Sequence, residues 1–185
     1  TPDLAFYREK LNGDYLRWKV RLRWYADGPV EPATGFLEVK RKEGTVTRKD
    51  RGPVPRPAAR CDRDPLARPA LAGLADRAGE LGCSPPGPLV PTLLVRYHRF
   101  RWFDPRSLAR LSLDTAVTAP HANPAVVTGA SSAVLDVAVL ETKGGDGAIA
   151  RTLGPLAGRL RHGSFSKYAA CLEDMLGDRN RRYPA

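Results

Sequence analysis

The sequence lacks any long hydrophobic run. No apolar stretch approaches the roughly 18 residues that a membrane-spanning helix requires, and the N-terminus lacks the basic-then-apolar order of a signal peptide. We therefore expect no transmembrane segment and a cytoplasmic location. The chain begins Thr1-Pro2-Asp3 with no initiator Met, so we also expect it to be the remainder of a longer product.

Cysteine and histidine are scarce as well. The three cysteines, Cys61, Cys83 and Cys171, are odd in number and follow no Cys-x-x-Cys or Cys/His ligand spacing. This pattern predicts neither a disulfide framework nor a zinc site. The three histidines are equally scattered, so the sequence gives no reason to assign a catalytic role to any of them.

Acidic side chains are few relative to basic ones. Thirty Lys and Arg stand against twenty Asp and Glu, which gives a formal net charge of +10. Such a surplus favours nucleic acids, polyphosphates or anionic membranes as partners, and charge alone does not choose among them. The length suits one domain. We expect that domain at residues 1–177, with a Pro-, Ala- and Arg-rich insertion at about 52–91 and a polar tail at 178–185.

The most informative stretch is residues 16–25, where polar and apolar side chains alternate strictly and every polar one before the final Tyr is cationic. This alternation predicts a β-strand with Lys19, Arg21 and Arg23 on one face. Trp18 and Trp24 fall on the other face, where they are not placed to stack on RNA bases. A solvated basic strand face is one interpretation, and a polyanion that removes the repulsion between the cations is the other.

Further alternating stretches and turn signals predict an α+β fold. A Glu43-Gly44 corner indicates a hairpin, and six short strands in all favour an antiparallel barrel or sandwich with flanking helices. The other predicted strands cover residues 36–42, 45–51, 93–103, 109–118 and 133–143. The predicted helices cover residues 4–12, 64–81 and a segment that starts with a Ser N-cap within 164–168 and ends at 176 before Gly177.

Charged side chains recur on one face of strand after strand. If these strands close into a barrel, the cations face inward, and an unpaired buried charge costs several kcal/mol. The interior would have to be wet and filled by an anion, for which a phosphate chain is the natural choice because Arg and Lys both bind phosphate oxygens. These cations are Lys19, Arg21, Arg23, Lys40, Lys49, Arg51, Arg99 and Arg110.

Three carboxylates lie among these cations, and they are the candidate metal ligands. Phosphoryl transfer uses a divalent metal that bridges phosphate oxygens, and Asp and Glu supply the oxygen ligands that such metals prefer. Glu141 is the leading candidate, with Asp114 and Glu38 behind it. An ion pair with one of the arginines explains Glu141 equally well.

Six short motifs follow one another along the chain and resemble those of the VTC domain. This is the catalytic domain of vacuolar transporter chaperone polyphosphate polymerases, within the CYTH-like triphosphate tunnel metalloenzyme superfamily, and we expect a bacterial member. The resemblance extends from residue 1 to about residue 176. The motifs are Lys19-x-Arg21-x-Arg23-x-Tyr25, Phe36-Leu37-Glu38-Val39-Lys40, the group Arg96, Tyr97, Arg99 and Arg101, Arg110-Leu111-Ser112-Leu113-Asp114, Leu140-Glu141-x-Lys143, and Ser166-Lys167-Tyr168.

The resemblance implies a tunnel of antiparallel strands that holds ATP or another triphosphate, inorganic polyphosphate and a Mn²⁺ or Mg²⁺ ion. It implies that Glu141 binds the metal and that Ser166 and Lys167, which open the last helix, contact phosphate. The family's first strand is absent from this sequence, so we expect an incomplete tunnel. The implied phosphate-binding residues are Lys19, Arg21, Arg23, Lys40, Lys49, Arg51, Arg99, Arg110, Ser166 and Lys167.

The implied activity is transfer of the γ-phosphate of ATP to a growing polyphosphate chain. Two alternatives stay open at this point. The same site could hydrolyse an inorganic or nucleoside triphosphate with the help of a metal, or the domain could be a non-catalytic module that binds polyphosphate or RNA. Nucleic acid is the less favoured partner, and the sequence does not indicate whether a membrane protein accompanies the chain.

Overall fold

Two antiparallel sheets, one in each half of the chain, organise the fold. The computed structural model describes residues 1–25, 34–55, 73–105, 108–144 and 153–177. The chain divides into two compact units, the first made of residues 1–92 and 122–128 and the second of residues 93–121 and 129–185. Each unit is described by itself below.

The first unit contains a three-stranded meander between two short helices. Helix α1 (Ala5–Asn12) precedes strands β1 (Leu16–Arg23), β2 (Thr34–Glu43) and β3 (Val46–Pro55), and helix α2 (Leu74–Glu80) follows. The sheet order is β1-β2-β3 with antiparallel pairing throughout. Gly44, with a positive φ of 56°, makes the tight β2–β3 turn, a conformation that glycine adopts without the steric cost of a Cβ atom.

One face of this sheet supplies the core of the first unit. Trp18, Leu37, Val39 and Val54 are buried there together with Ala78 of α2. The alternation of the sequence explains this arrangement, because every second side chain of a strand points to the same side. The opposite face therefore carries most of the cationic residues of the same three strands, whereas Arg41 and Arg48 share the face of Trp18.

The second unit is built on strands β4 (Leu93–Asp104), β5 (Ala109–Ala122), β6 (Ala133–Val134) and β7 (Val139–Lys143). Strand β5 is the centre of the sheet, since β4, β6 and β7 all pair with it. A six-residue 3₁₀ segment (Gly154–Arg159) and helix α3 (Lys167–Met175) follow. The buried side of α3 carries Ala169, Ala170, Cys171, Leu172 and Met175.

Strand β5 has a backbone irregularity at Ala116, which has a positive φ of 50°. Ala109 and Asp114 are buried before this point, and Val117 and Ala119 are buried after it. The pairing also slips by one residue here, because Asp114 pairs with Val139 and Thr118 with Val134. Such a local irregularity changes the direction in which the side chains of a strand point, as a β-bulge does.

These observations confirm an α+β fold with antiparallel sheets and helices, and the β2–β3 hairpin lies where the Glu43-Gly44 corner indicates. The expected closed barrel is not present among the described residues, whose strands form two separate sheets. The stretch 133–143, predicted as one strand, is two short strands, because the pairing slip interrupts the ladder. In the described part of the chain, no helix is both long and apolar enough to cross a membrane.

The structure also places parts of the expected insertion at 52–91 within the first unit. Strand β3 continues to Pro55, and Ala78 and Cys83 lie in the core. The start of the helix expected at 64–81 lies outside the described residues, and its described part is α2. The predicted tail at 178–185 also lies outside the described residues.

Candidate functional site

The basic face of the first sheet has its cations arranged in cross-strand rows. Lys19 pairs with Lys40, and Lys40 pairs with Lys49, so three lysines lie side by side on three strands. Like charges directly opposite one another destabilise a sheet. We call this surface the basic sheet face; it consists of Arg17, Lys19, Arg21, Arg23, Glu38, Lys40, Lys42, Lys49 and Arg51.

Glu38 is the one carboxylate of the basic sheet face, and it lies between two arginines of β1. Its Oε2 accepts a hydrogen bond from Arg21 Nε at 2.5 Å, and its Oε1 lies 2.5 Å from Arg23 Nη2. The guanidinium of Arg51 in β3 stacks over the ring of Phe36 in β2, with 4.5 Å from the guanidinium carbon to the ring centroid. One acid among eight cations leaves this face strongly positive, which makes it a surface that attracts polyanions.

The second unit holds a compact ionic cluster around Asp114. The Asp114 carboxylate is fully buried. Arg99 donates two hydrogen bonds to this carboxylate, from Nε to Oδ1 at 2.5 Å and from Nη2 to Oδ2 at 2.6 Å. Lys167 of α3 forms an ion pair with Oδ2 from the other side. Strands β4 and β5 and helix α3 are thus joined at one charged centre.

Glu141 lies at the outer edge of this cluster. It comes next to Asp114 because its partner in the β5–β7 pairing is Ser112, two residues before Asp114 on the same face. Its Oε1 lies 3.0 Å from Lys143 Nζ, and its Oε2 lies 3.6 Å from Arg99 Nη2. Unlike Asp114, the Glu141 side chain is 42% exposed.

The cluster keeps both carboxylates ionised. Burial alone would raise the pKa of Asp114, but the hydrogen bonds from Arg99 and Lys167 outweigh it and lower that pKa below its usual value. Burial likewise opposes ionisation of Glu141, and the hydrogen bond from Lys143, with the nearby Arg99 charge, lowers its pKa. The hydrogen bonds to Asp114 raise the pKa of Arg99. Hydrogen bonding to the charged form thus prevails over desolvation at this centre.

The start of α3 brings Lys167 into the cluster. The side chain of Ser166 caps the helix by accepting a hydrogen bond from the backbone N–H of Ala169 at 3.4 Å, as Ser commonly does at this position. The Tyr97 ring lies beneath two cations, 4.8 Å from Lys167 Nζ and 5.3 Å from the Arg99 guanidinium carbon. Tyr97 therefore helps to hold both cations in place.

A divalent metal would find few protein ligands here. In the described part of the chain, no group of three or more His, Cys, Asp or Glu residues could hold an ion. Asp114 already contacts Arg99 and Lys167, and both oxygens of Glu38 are paired with arginine. Glu141 is the most exposed of the three carboxylates, although its oxygens also lie near Lys143 and Arg99. It is the residue that could serve as the one carboxylate ligand of Mg²⁺, which completes its shell with water and substrate phosphates.

The structure divides the residues that the sequence indicates between the two units. The first unit contains Lys19, Arg21, Arg23, Glu38, Lys40, Lys49 and Arg51, all on the basic sheet face. The second brings together Arg99, Asp114, Glu141 and Lys167, with Ser166 as the cap of α3. Arg110 lies on the same face of β5 as Asp114, is exposed, and pairs with Lys143.

Four further residues of these surfaces were not among the predicted phosphate or metal ligands, although Tyr97 and Lys143 occur in the family motifs. Arg17 and Lys42 pair with each other on the basic sheet face, and Lys143 contacts Glu141. Strand parity places all three on the same faces as the predicted ligands. Tyr97 shares its parity with Arg99, but its position under Lys167 depends on how α3 packs, which no local pattern indicates.

The described residues form an α+β fold in which antiparallel strands present rows of cations on one face. The model of the VTC domain family matches residues 1–176, nearly the whole chain. The chain therefore belongs to the VTC domain family. Membership indicates a function that involves polyphosphate. A search of curated proteins found no match.

Proposed function

We propose that this chain is a metal-dependent polyphosphate polymerase that transfers the γ-phosphate of ATP to the end of a polyphosphate chain. The observation that carries the proposal is the row of Lys19, Lys40 and Lys49 on the basic sheet face, in a member of the VTC family. A polyphosphate chain carries repeated negative charge, so its binding would offset the repulsion between these lysines.

In this proposal the residues act by binding and positioning. Lysines of the basic sheet face bind phosphate oxygens as point charges, while Arg21 and Arg51 can offer two parallel N–H groups to one phosphate. A terminal oxygen of the polyphosphate attacks the γ-phosphorus, the bond from that phosphorus to the β–γ bridging oxygen breaks, and ADP leaves. The protein needs no nucleophile of its own for this step.

The ionic cluster of the second unit has a separate task in this proposal. Arg99 and Lys167, held by Asp114, are positioned cations that neutralise charge on the phosphoryl group. Glu141, the most open carboxylate, would hold Mn²⁺ or Mg²⁺. Such a metal would supply positive charge that stabilises the negative charge of the transferring phosphoryl group. The tunnel implied by the family resemblance stays a prediction, and the proposal rests on each surface by itself.

The test is to incubate the purified chain with ATP and Mn²⁺, with and without a short polyphosphate primer, and to separate the products on a gel while measuring free phosphate. We expect long chains. Free phosphate without chains would establish a triphosphatase instead. If neither product forms although tripolyphosphate binds tightly in calorimetry, the domain is a binding module and the polymerase proposal is wrong.

A matched pair of variants tests the assignment of Glu141. Glu141→Gln removes the charge and should raise the Mn²⁺ concentration that half-maximal product formation requires, because the metal binds more weakly. Asp136→Asn makes the same chemical change at an exposed position of the second unit and should leave activity unchanged. Equal activity of both variants at every Mn²⁺ concentration would exclude Glu141 as the metal ligand.

A further inference from the structure

The hairpin between β4 and β5 exposes an unusual set of large apolar side chains. Phe100, Trp102, Phe103 and Leu108 have exposed fractions of 54, 51, 59 and 68%. Phe100 and Trp102 also stack on each other, with ring centroids 6.2 Å apart. A stacked pair of exposed aromatic rings with two further exposed apolar side chains nearby in the sequence indicates an interaction site. We call these four residues the hairpin tip.

The apolar residues of the hairpin tip lie on both faces of the sheet. Phe100 and Trp102 share one face of β4, and Phe103 lies on the other, because successive residues of a strand alternate. A helix or a partner protein that covers a sheet covers one face, and bases that stack on a sheet do the same. Apolar side chains on both faces of the hairpin tip therefore fit an apolar environment that surrounds the tip better than they fit a single partner surface.

Cations flank the hairpin tip. Arg101 lies between Phe100 and Trp102 in the sequence, and Arg110 is the second residue of β5, two residues after Leu108; both cations are exposed. Aromatic residues that enter the boundary between lipid headgroups and acyl chains, accompanied by Lys or Arg, are the usual composition of surfaces that bind anionic membranes. We infer that the hairpin tip docks on an anionic lipid bilayer by inserting its aromatic side chains into the interface.

The experiment measures sedimentation of the whole chain with vesicles of phosphatidylcholine alone or mixed with phosphatidylserine. The double variant Trp102→Ser/Phe103→Ser should weaken binding to the anionic vesicles by about tenfold or more, because two large apolar side chains no longer leave water. The control is Val134→Ser, which alters a side chain that is 75% exposed in the same sheet. Val134 pairs with Thr118, nine residues and about 30 Å along β5 from its start. The affinity of Val134→Ser for the anionic vesicles should stay within about twofold of that of the unaltered chain.

None of these substitutions changes the charge, so attraction of the basic sheet face to anionic lipid is common to all three proteins. Insertion can be measured separately, by the fluorescence of Trp102. Vesicles that contain phosphatidylcholine brominated on its acyl chains should quench this fluorescence if Trp102 enters the bilayer. Trp102→Phe keeps an apolar ring and should bind normally while losing that part of the quenching. Trp18 is buried in the first unit and should contribute little to it.

Four results would overturn the inference. Equal vesicle binding by the unaltered chain and the double variant would mean that charge alone is responsible. Absence of binding to either vesicle would exclude docking altogether. A dimer in sizing chromatography that the double variant abolishes, or quenching of Trp102 by single-stranded RNA without binding to vesicles, would assign the hairpin tip to a second copy of the chain or to nucleic acid.

Discussion

Lys40 of β2 lies directly between Lys19 of β1 and Lys49 of β3, each its partner in the antiparallel pairing. This arrangement predicts a small effect on stability and a larger one on binding. In Lys40→Ala, the free energy of unfolding without ligand should change by less than about 0.5 kcal/mol, because Lys40 is exposed. Affinity for tripolyphosphate should fall by about 1 kcal/mol, or roughly fivefold, in calorimetry.

The matched control for Lys40→Ala is Arg48→Ala. Arg48 is exposed and pairs with Arg41, which places it on the face of the sheet opposite Lys40. Its removal lowers the net charge by the same amount and should leave tripolyphosphate binding nearly unchanged. An equal loss of affinity in both variants would show that binding depends on net charge and not on the basic sheet face.

Asp114 is the fully buried acid that holds Arg99 and Lys167. Replacing it with Asn leaves two cations around a neutral group, so the free energy of unfolding should decrease by about 3–5 kcal/mol in urea denaturation. Asp136→Asn, at an exposed position of the same unit, should change stability by less than about 0.5 kcal/mol. A loss below 1 kcal/mol in Asp114→Asn would contradict this account of the ionic cluster.

The lowered pKa values of Asp114 and Glu141 predict how stability depends on pH. Because each pKa is lower in the folded than in the unfolded chain, the unfolded chain binds more protons in acid. The stabilisation is present above the unfolded values of about 4 and is lost as the pH falls through the folded ones. Urea titrations from about pH 6 to pH 3 should show this loss.

The variant Asp114→Asn provides the control for the pH experiment. It lacks the titrating carboxylate with the most buried side chain, so its free energy of unfolding should fall less steeply below about pH 4 than that of the unaltered chain. Parallel pH curves for the two proteins would mean that Asp114 titrates normally in the folded state and that other carboxylates cause the acid sensitivity.

Gly129 lies against the end of α3. A Cβ atom placed on Gly129 would come 1.9 Å from the carbonyl oxygen of Met175, which also accepts a hydrogen bond from the backbone N–H of Ala130 at 2.9 Å. Gly129→Ala should therefore cost at least about 2–3 kcal/mol of unfolding free energy, measured by urea denaturation.

The control for Gly129→Ala is Gly163→Ala in the same unit, where an added Cβ would meet nothing within 4 Å. This variant should unfold at nearly the same urea concentration as the unaltered chain. If Gly129→Ala were equally stable, helix α3 would have to shift without cost, and the position of Lys167 in the ionic cluster would not depend on this close approach.

Local patterns in the sequence predicted much of the secondary structure. The strand predicted at 16–25 is β1, and the Glu43-Gly44 corner is the β2–β3 turn. The last helix begins after a Ser N-cap and ends before Gly177, as predicted. Alternation and capping depend on neighbouring residues alone, so they are readable without knowledge of the tertiary contacts.

Other features depend on contacts between distant residues and were missed. The stretch 133–143 alternates well enough to suggest one strand, but the pairing slip near Ala116 of β5 divides it. Asp114 was considered as a metal ligand because of its residue type. Its two hydrogen bonds to Arg99 and its ion pair with Lys167 arise from the packing of β4 and α3 against β5, so no spacing within the sequence could indicate them.

The sequence by itself determined which side chains share a face of each strand, because that periodicity is a property of the extended backbone. It therefore determined that β1 presents Lys19, Arg21 and Arg23 together, and its ordered motifs determined the family. Only the tertiary structure decided which residues of different strands lie opposite one another. That choice depends on strand register and helix packing, which placed three lysines in one row and enclosed Asp114 between Arg99 and Lys167.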